Sequence, residues 1–304
     1  DFKMRFSPPL QVLEREPGGE VSESPKTKEH YQFHSPERRT VTLTFVHISD
    51  THLHKNPNYT GDYVKFSSRV SVAELVRQIN ALPFPVDFVL HTGDIMNDPE
   101  RDLDYIVARE LLEAIRFPVF YLPGNHDRVE GVQRVMLGRG DADLTPRLDY
   151  IIERDGVQII CLDSTIKGSA AGIIQPSQLA WLESLFIPED DRPLVVALHH
   201  HPLPSGAPWL DEIVLKNGVE FHNVLLKARH RLRAVLYGHI HEDMTTIRDS
   251  INYVSVRSTW FQTRTWYGQT QPVNDPFHDP TFNVVTITAQ DTFIRRHHFH
   301  LPGN

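Results

Sequence analysis

The 304 residues carry 31 Lys and Arg against 39 Asp and Glu, a net charge of −8, with 40% hydrophobic and 23% charged residues. That balance is ordinary for a folded enzyme and argues against a nucleic-acid surface, which gathers Lys and Arg on one face. No apolar run approaches the roughly 20 residues that span a bilayer, the N-terminal residues lack the pattern of a secretory leader, and the lone Cys161 excludes an internal disulfide and leans toward the cytoplasm.

Residues 1–40 are rich in Pro, Glu, Ser and Lys and show little periodicity. They read as an arm outside a domain that spans 41–304. From residue 41 the texture changes. Short apolar, β-branched runs at 41–48, 86–90, 119–122, 157–162, 194–198, 232–237 and 251–256 are expected strands. Cys161 lies in one of them, as a buried and inert thiol. Between the early strands, 67–81 and 103–115 have apolar residues at helical spacing, and 177–185 reads as a further helix with Ser177 as N-cap. This alternation predicts an α/β fold with helices packed outside sheets. The stretch 260–280, with Trp, Tyr, Gln, Asn and Pro, is expected to form an aromatic loop near the site, followed by a hairpin over 282–289 and 292–298.

There are 18 His in the chain, many of them at the ends of these strands beside Asp, Asn and Gly. After the first strand comes Asp50-Thr51-His52, a carboxylate and an imidazole able to turn toward one point. After the second comes Gly93-Asp94, where glycine permits a sharp turn and one carboxylate can bridge two cations through its two oxygens. The third motif is Gly124-Asn125-His126-Asp127: a neutral oxygen ligand, an imidazole, and a carboxylate to orient that imidazole. The fourth is His199-His200-His201-Pro202. Neighbours on a strand point oppositely, so His199 is the expected ligand, His200 a substrate contact and His201 a packing residue. In the last, Gly238-His239-Ile240-His241, alternation places two imidazoles on one side. Singly these strings are weak. Five in order, each after an apolar strand, point to ligands converging at one sheet edge. Oxygen and imidazole without thiolate suit two divalent ions such as Mn, Fe or Zn.

In this order the motifs resemble the calcineurin-like metallophosphoesterases over about residues 41–300. The strings 198–204, Trp209-Leu210-Asp211 and Ser258-Thr259 are most similar to the bacterial class III cyclic-nucleotide phosphodiesterase branch. The arm and the stretch 260–277 depart from that branch. The resemblance implies a two-sheet sandwich flanked by helices. It implies that Asp50, His52, Asp94 and His241 surround one cation, and that Asp94, Asn125, His199 and His239 surround the other. Substrate contacts are then expected from His52, Asp94, Asn125, His126, His200 and His241.

Two cations about 3.5–4 Å apart can clamp a phosphate and hold an attacking hydroxide. His126, partnered by Asp127, is the expected proton donor to the leaving oxygen. Arg128 fits a surface ion pair better than a substrate contact, and Asp98 fits either support behind the ligands or a helix cap. Trp209, Trp260, Phe261, Trp266 and Tyr267 are candidate walls for a base or another apolar leaving group. The expected activity is hydrolysis of a small phosphodiester, with cyclic AMP as one candidate. A pyrophosphate or glycerophosphodiester on a nucleotide-sugar or lipid-linked substrate is the alternative of the same fold. A non-catalytic scaffold is the alternative of another class.

Overall fold

The computed structural model describes residues 3–6, 42–61, 64–275 and 278–301. Helix Ser68–Asn80 buries Val72, Leu75, Val76 and Ile79, the apolar residues that recur every three or four positions. The next expected helix begins with a 3₁₀ turn, Asp102–Tyr105, and continues as Ile106–Leu112. Helix Pro176–Ser184 starts one residue before its expected N-cap. Ser177 lies inside it, and Gln175, whose backbone N–H donates to Gln178 Oε1 at 2.7 Å, occupies the cap.

Twelve strands form two mixed sheets among the described residues. In chain order they are β1 Lys3–Phe6, β2 Thr42–Ile48, β3 Phe88–His91, β4 Val119–Tyr121, β5 Tyr150–Arg154, β6 Val157–Cys161, β7 Leu194–Ala197, β8 Leu232–Tyr237, β9 Thr245–Arg248, β10 Ile251–Ser255, β11 Thr281–Thr288 and β12 Thr292–His298. One sheet runs β1-β5-β6-β7-β8-β10-β9 and the other β12-β11-β2-β3-β4. Parallel pairing links β6, β7, β8 and β10 in the first sheet, and β2, β3 and β4 in the second.

Period-two alternation assigns each strand's residues to two cores. From β6 and β7, Val157, Ile159, Cys161, Val195 and Ala197 join Phe45, Phe88 and Leu90 between the sheets. Their neighbours Ile160, Leu194 and Val196 face outward onto Leu182, Phe221 and Leu225, from helices Pro176–Ser184 and Gly218–Leu225. The result is the expected sandwich flanked by helices. Both faces of the central strands are covered, so β3, β6 and β7 are buried throughout. No helix among the described residues is long and apolar enough to cross a membrane.

Three strands and several short helical segments, Gly218–Leu225 the longest of them, were not anticipated. β5 and β6 form a hairpin around Asp155-Gly156, both at positive φ (48° and 81°), which an Asp-Gly pair favours. β9 and β10 do the same around Asp249-Ser250. β1 lies within the expected arm, yet it pairs antiparallel with β5 as an edge strand of the larger sheet. The rest of the arm, residues 1–2 and 7–40, lies outside the described residues.

Candidate metal centre

Each ligand motif follows the C-terminal end of a parallel strand, and the parallel strands of both sheets deliver their ends to one place. Tight turns are then required. Asp50, His52, Asp94, Asp98, His239 and His241 all have positive φ, between 42° and 70°. Left-handed backbone in a residue with a side chain costs about 1–3 kcal/mol and persists where the surroundings dictate it. Here the surroundings are backbone bonds between the motifs: Asp50 N–H donates to the Gly93 carbonyl at 2.9 Å, and His52 N–H to the Asp94 carbonyl at 3.0 Å. Glycine is needed where chains meet the carboxylates. A Cβ on Gly124 would overlap the Asp94 carboxylate, and one on Gly238 would overlap Ser49 and Asp50.

Asp50, His52, Asp94 and His241 form one group of converging donor atoms, all buried. His52 Nε2 lies 3.0 Å from His241 Nε2, 3.6 Å from Asp94 Oδ2 and 3.8 Å from Asp50 Oδ1. A second group gathers around His199 Nε2, which lies 3.1 Å from Asn125 Oδ1, 3.2 Å from His239 Nδ1 and 3.3 Å from Asp94 Oδ2. Asp94 Oδ2 therefore sits between the two groups. Its other oxygen accepts the His126 backbone N–H at 2.9 Å. The Asp50 carboxylate accepts the His239 N–H at 3.0 Å.

The imidazoles are aimed by their far nitrogens. His199 Nδ1 meets the Thr92 carbonyl at 2.9 Å, His239 Nε2 the Ile213 carbonyl at 3.1 Å, and His241 Nδ1 the Phe261 carbonyl at 3.0 Å. A carbonyl only accepts, so each of these nitrogens is the N–H. In the neutral ring the opposite nitrogen is bare, and it faces the cluster. Bare nitrogens and carboxylate oxygens packed this closely repel one another unless they share a proton or a cation. The residues present fit two divalent ions, with carbonyl partners fixing the tautomers as metal-ligating His requires.

Electrostatics tell the same story. Burial opposes ionisation of Asp94, yet His199 and His126 hold its carboxyl well below the usual range. Burial likewise opposes Asp50, and His241 with His199 outweighs it, leaving a pKa of about 2. Burial alone would lower His199 and His126, but Asp94 beside each raises both to about 9. The concentrated negative charge thus draws protons onto the ligands, and a bound cation would displace them. Burial dominates at His52, pushing its pKa down to about 3.

The expected partner of His126 is corrected. Asp127 does not face that imidazole: its carboxylate accepts backbone N–H groups from Ile95, Met96 and Gly124, each at 3.0 Å, and the Tyr105 hydroxyl at 2.9 Å. It braces the turns of two motifs instead. Asp98 is the partner, its Oδ1 2.8 Å from His126 Nδ1. Asn97-Asp98, just beyond Asp94 in the chain, was the available signal. Arg128 pairs with Asp102 at 3.1 Å, as a surface ion pair.

His200 is fully buried, with Nδ1 2.8 Å from Ser164 Oγ and its ring packed beside His199 and His239. It is absent from the lining of the cavity described below. His201 is buried and stacks on His239, as a packing residue. A cavity of about 350 Å³ stands over the cluster, lined by His52, Asp94, Asn125, His126, His239 and His241 below and by Trp209, Ile213, Ile240, Phe261 and Pro272 around the walls. Of the expected aromatic walls, Trp209 and Phe261 are in place. Trp260 is instead buried, donating Nε1–H to the Phe66 carbonyl at 3.0 Å. Trp266 and Tyr267 are 52% and 89% exposed and stay outside the lining. The carbonyls of Thr92, Ile213 and Phe261 could not have been found from the sequence, because any residue supplies a carbonyl.

The profile of the calcineurin-like phosphoesterase family matches residues 43–243. A 3′,5′-cyclic adenosine monophosphate phosphodiesterase, CpdA, from Pseudomonas aeruginosa is 30% identical over 73% of this chain and 78% of its own. The glycerophosphodiester phosphodiesterase GpdQ of Enterobacter lignolyticus is 29% identical over 77% of this chain and 83% of its own. Among solved structures, a dimetal phosphatase from Danio rerio shares the fold at TM-score 0.56 and 14% identity, covering 84% of this chain and 99% of that one. The purple acid phosphatase PPD1 of yellow lupin shares it at TM-score 0.61 and 12% identity, covering 86% of this chain and 52% of that one. With its five motifs gathered into two joined groups of metal donors, the chain belongs to the calcineurin-like phosphoesterases and is a metal-dependent phosphoric ester hydrolase with a dinuclear centre.

Proposed function

We propose that this enzyme hydrolyses small phosphodiesters, cyclic AMP among them. The observation that carries the reading is the join: Asp94 Oδ2 stands 3.6 Å from His52 Nε2 and 3.3 Å from His199 Nε2, at the floor of a cavity whose walls are largely apolar. Two divalent cations, when bound, supply charge neutralisation on the phosphate and an activated water. Asp50, His52, Asp94 and His241 would hold one ion, and Asp94, Asn125, His199 and His239 the other. His126 has Nδ1 engaged by Asp98, so Nε2 is the nitrogen left to hold a proton for the leaving oxygen. The Asp98 carboxylate, opposite, stabilises the protonated ring.

Asp94, Asn125, His52 and His241 line the same cavity and are the proposed contacts of the phosphate oxygens. His200 is proposed to act through its ring contacts with His199 and His239 rather than by touching substrate. The apolar walls favour a diester, whose second substituent gains contacts that a bare monoester lacks. Similarity to CpdA supports a cyclic nucleotide, and similarity to GpdQ supports a glycerophosphodiester as the second reading. The complete donor set speaks against a non-catalytic scaffold. The cytoplasm is the proposed setting, in keeping with a single cysteine that leaves no internal disulfide.

The test compares kcat/KM for cyclic AMP, glycerophosphocholine, bis-p-nitrophenyl phosphate and p-nitrophenyl phosphate under one Mn²⁺ condition. Diesters should exceed the monoester. Preference for p-nitrophenyl phosphate would refute the diesterase reading, and diester turnover without cyclic AMP would remove only the nucleotide.

A further inference from the structure

The cavity walls contain two polar side chains, Thr263 and Asn274. The Thr263 hydroxyl is committed, donating to the Ile240 carbonyl at 2.5 Å. The Asn274 amide is exposed and makes no side-chain hydrogen bond among the described residues. Its backbone, by contrast, is braced. Asn274 forms a bridge with Thr263, flanked by bonds from Arg264 N–H to the Val273 carbonyl and from Asp275 N–H to the Gln262 carbonyl, both 2.9 Å. The Arg264 guanidinium grips the Asp275 carboxylate at 3.1 and 3.2 Å, fixing the next residue. An amide without a side-chain partner among the described residues is therefore carried on a hydrogen-bonded backbone, in the wall that also carries Phe261 and faces the same space as Trp209.

An amide offers one acceptor and one donor side by side. That pair complements a heterocycle edge with an amino group next to a ring nitrogen, the pattern of adenine N6 and N7. Guanine presents two acceptors, O6 and N7, on the corresponding edge and meets only half of the amide. Aromatic side chains supply the face on which such a base rests. Glycerol or choline has neither a flat face nor such an edge.

We propose that Asn274 is a specificity-determining residue that reads the base edge of a nucleotide substrate, selecting adenine over guanine. The proposal rests on the phosphodiesterase reading above. It places recognition in the stretch 260–277, which sets this chain apart from the branch it resembles.

The experiment measures kcat/KM of the Mn²⁺-loaded full chain for cyclic AMP, cyclic GMP and the base-free bis-p-nitrophenyl phosphate, in wild type, Asn274→Ala and Asn274→Asp. The ratio of cyclic AMP to cyclic GMP is the readout, because a shared loss of rate or metal cancels in it. Wild type should favour cyclic AMP by about tenfold or more. Both variants should bring the ratio toward one, Asn274→Asp because a carboxylate cannot donate to a ring nitrogen. An unchanged ratio in Asn274→Ala, or no preference in wild type, would overturn the assignment. Turnover of bis-p-nitrophenyl phosphate without either cyclic nucleotide would also overturn it and leave the diesterase reading intact. Failure on all three diesters would remove that reading and the assignment with it.

Discussion

His126 Nδ1 and Asp98 Oδ1 stand 2.8 Å apart, and the two residues have very different surroundings. The Asp98 side chain is 71% exposed and that of His126 35%, whereas Asp94 beside them is buried. The pair is thus a solvent-accessible proton site at the mouth of a buried cluster. Replacing His126 by Ala should lower kcat by about 10²–10⁴-fold while two metal equivalents remain bound. Asp98→Asn should also lower kcat with metal retained. Asp127→Asn should behave otherwise, lowering the unfolding midpoint, because charge-assisted bonds of about 1.5–3 kcal/mol each hold three N–H groups and Tyr105 to that carboxylate. Kinetics, elemental analysis and thermal melts on the three variants separate the roles; equal melting loss in all three would contradict the assignment. The ligands themselves were legible because each motif follows an apolar strand. The exchange of Asp98 for Asp127 was not, because adjacency along the chain carries no information on which way a left-handed turn points a carboxylate.

At the scale of elements, β1 decides where the domain begins. Its four residues pair with β5, the Phe6 ring lies 5.9 Å from Tyr150, and the Arg139 guanidinium sits 3.8 Å over the Phe6 ring. Met4 and Phe6 are nevertheless about 40% exposed, at 39% and 43%, so the strand covers an edge and contributes little core. A chain lacking residues 1–6 should fold and turn over substrate normally, with stability lower by about 1–3 kcal/mol in urea melts. A shortened chain with unaltered stability would show that β1 is not docked in solution. Central strands were readable because their residues are apolar on both faces. Edge strands were not: β9 is Thr-Thr-Ile-Arg, largely exposed, and β1 lies in a segment of disordered composition. Helix Gly218–Leu225 starts on Gly and is followed directly by a 3₁₀ turn at Leu226–Ala228, so its periodicity is too brief to register.

Across the whole molecule, buried imidazoles couple stability to acidity. His91 Nε2 bonds Thr51 Oγ1 at 3.0 Å while Nδ1 accepts the Gly93 N–H at 3.2 Å, and His47 Nε2 bonds Thr92 Oγ1 at 3.0 Å. Burial pushes both pKa values from 6.5 down to about 3. An unfolded chain takes up these protons first as pH falls below 6.5, so the contribution is complete above 6.5 and lost progressively toward pH 3. Metal-free protein should lose about 1.4 kcal/mol per pH unit per imidazole in that window. Asp149 and Asp127, which burial raises to about 7 and about 6, oppose that trend in the same window. Paired urea melts of wild type and His47→Gln between pH 7 and 4 therefore check the slope, and equal slopes would contradict it.

The fold exists to bring the ends of both parallel strand sets to Asp94. The most direct test of that account titrates chelator-stripped protein with Mn²⁺, following bound metal and diester hydrolysis together. Two equivalents per chain should bind, with rate appearing as the pair fills. Full rate in metal-free protein, or saturation of both signals at one equivalent, would contradict it.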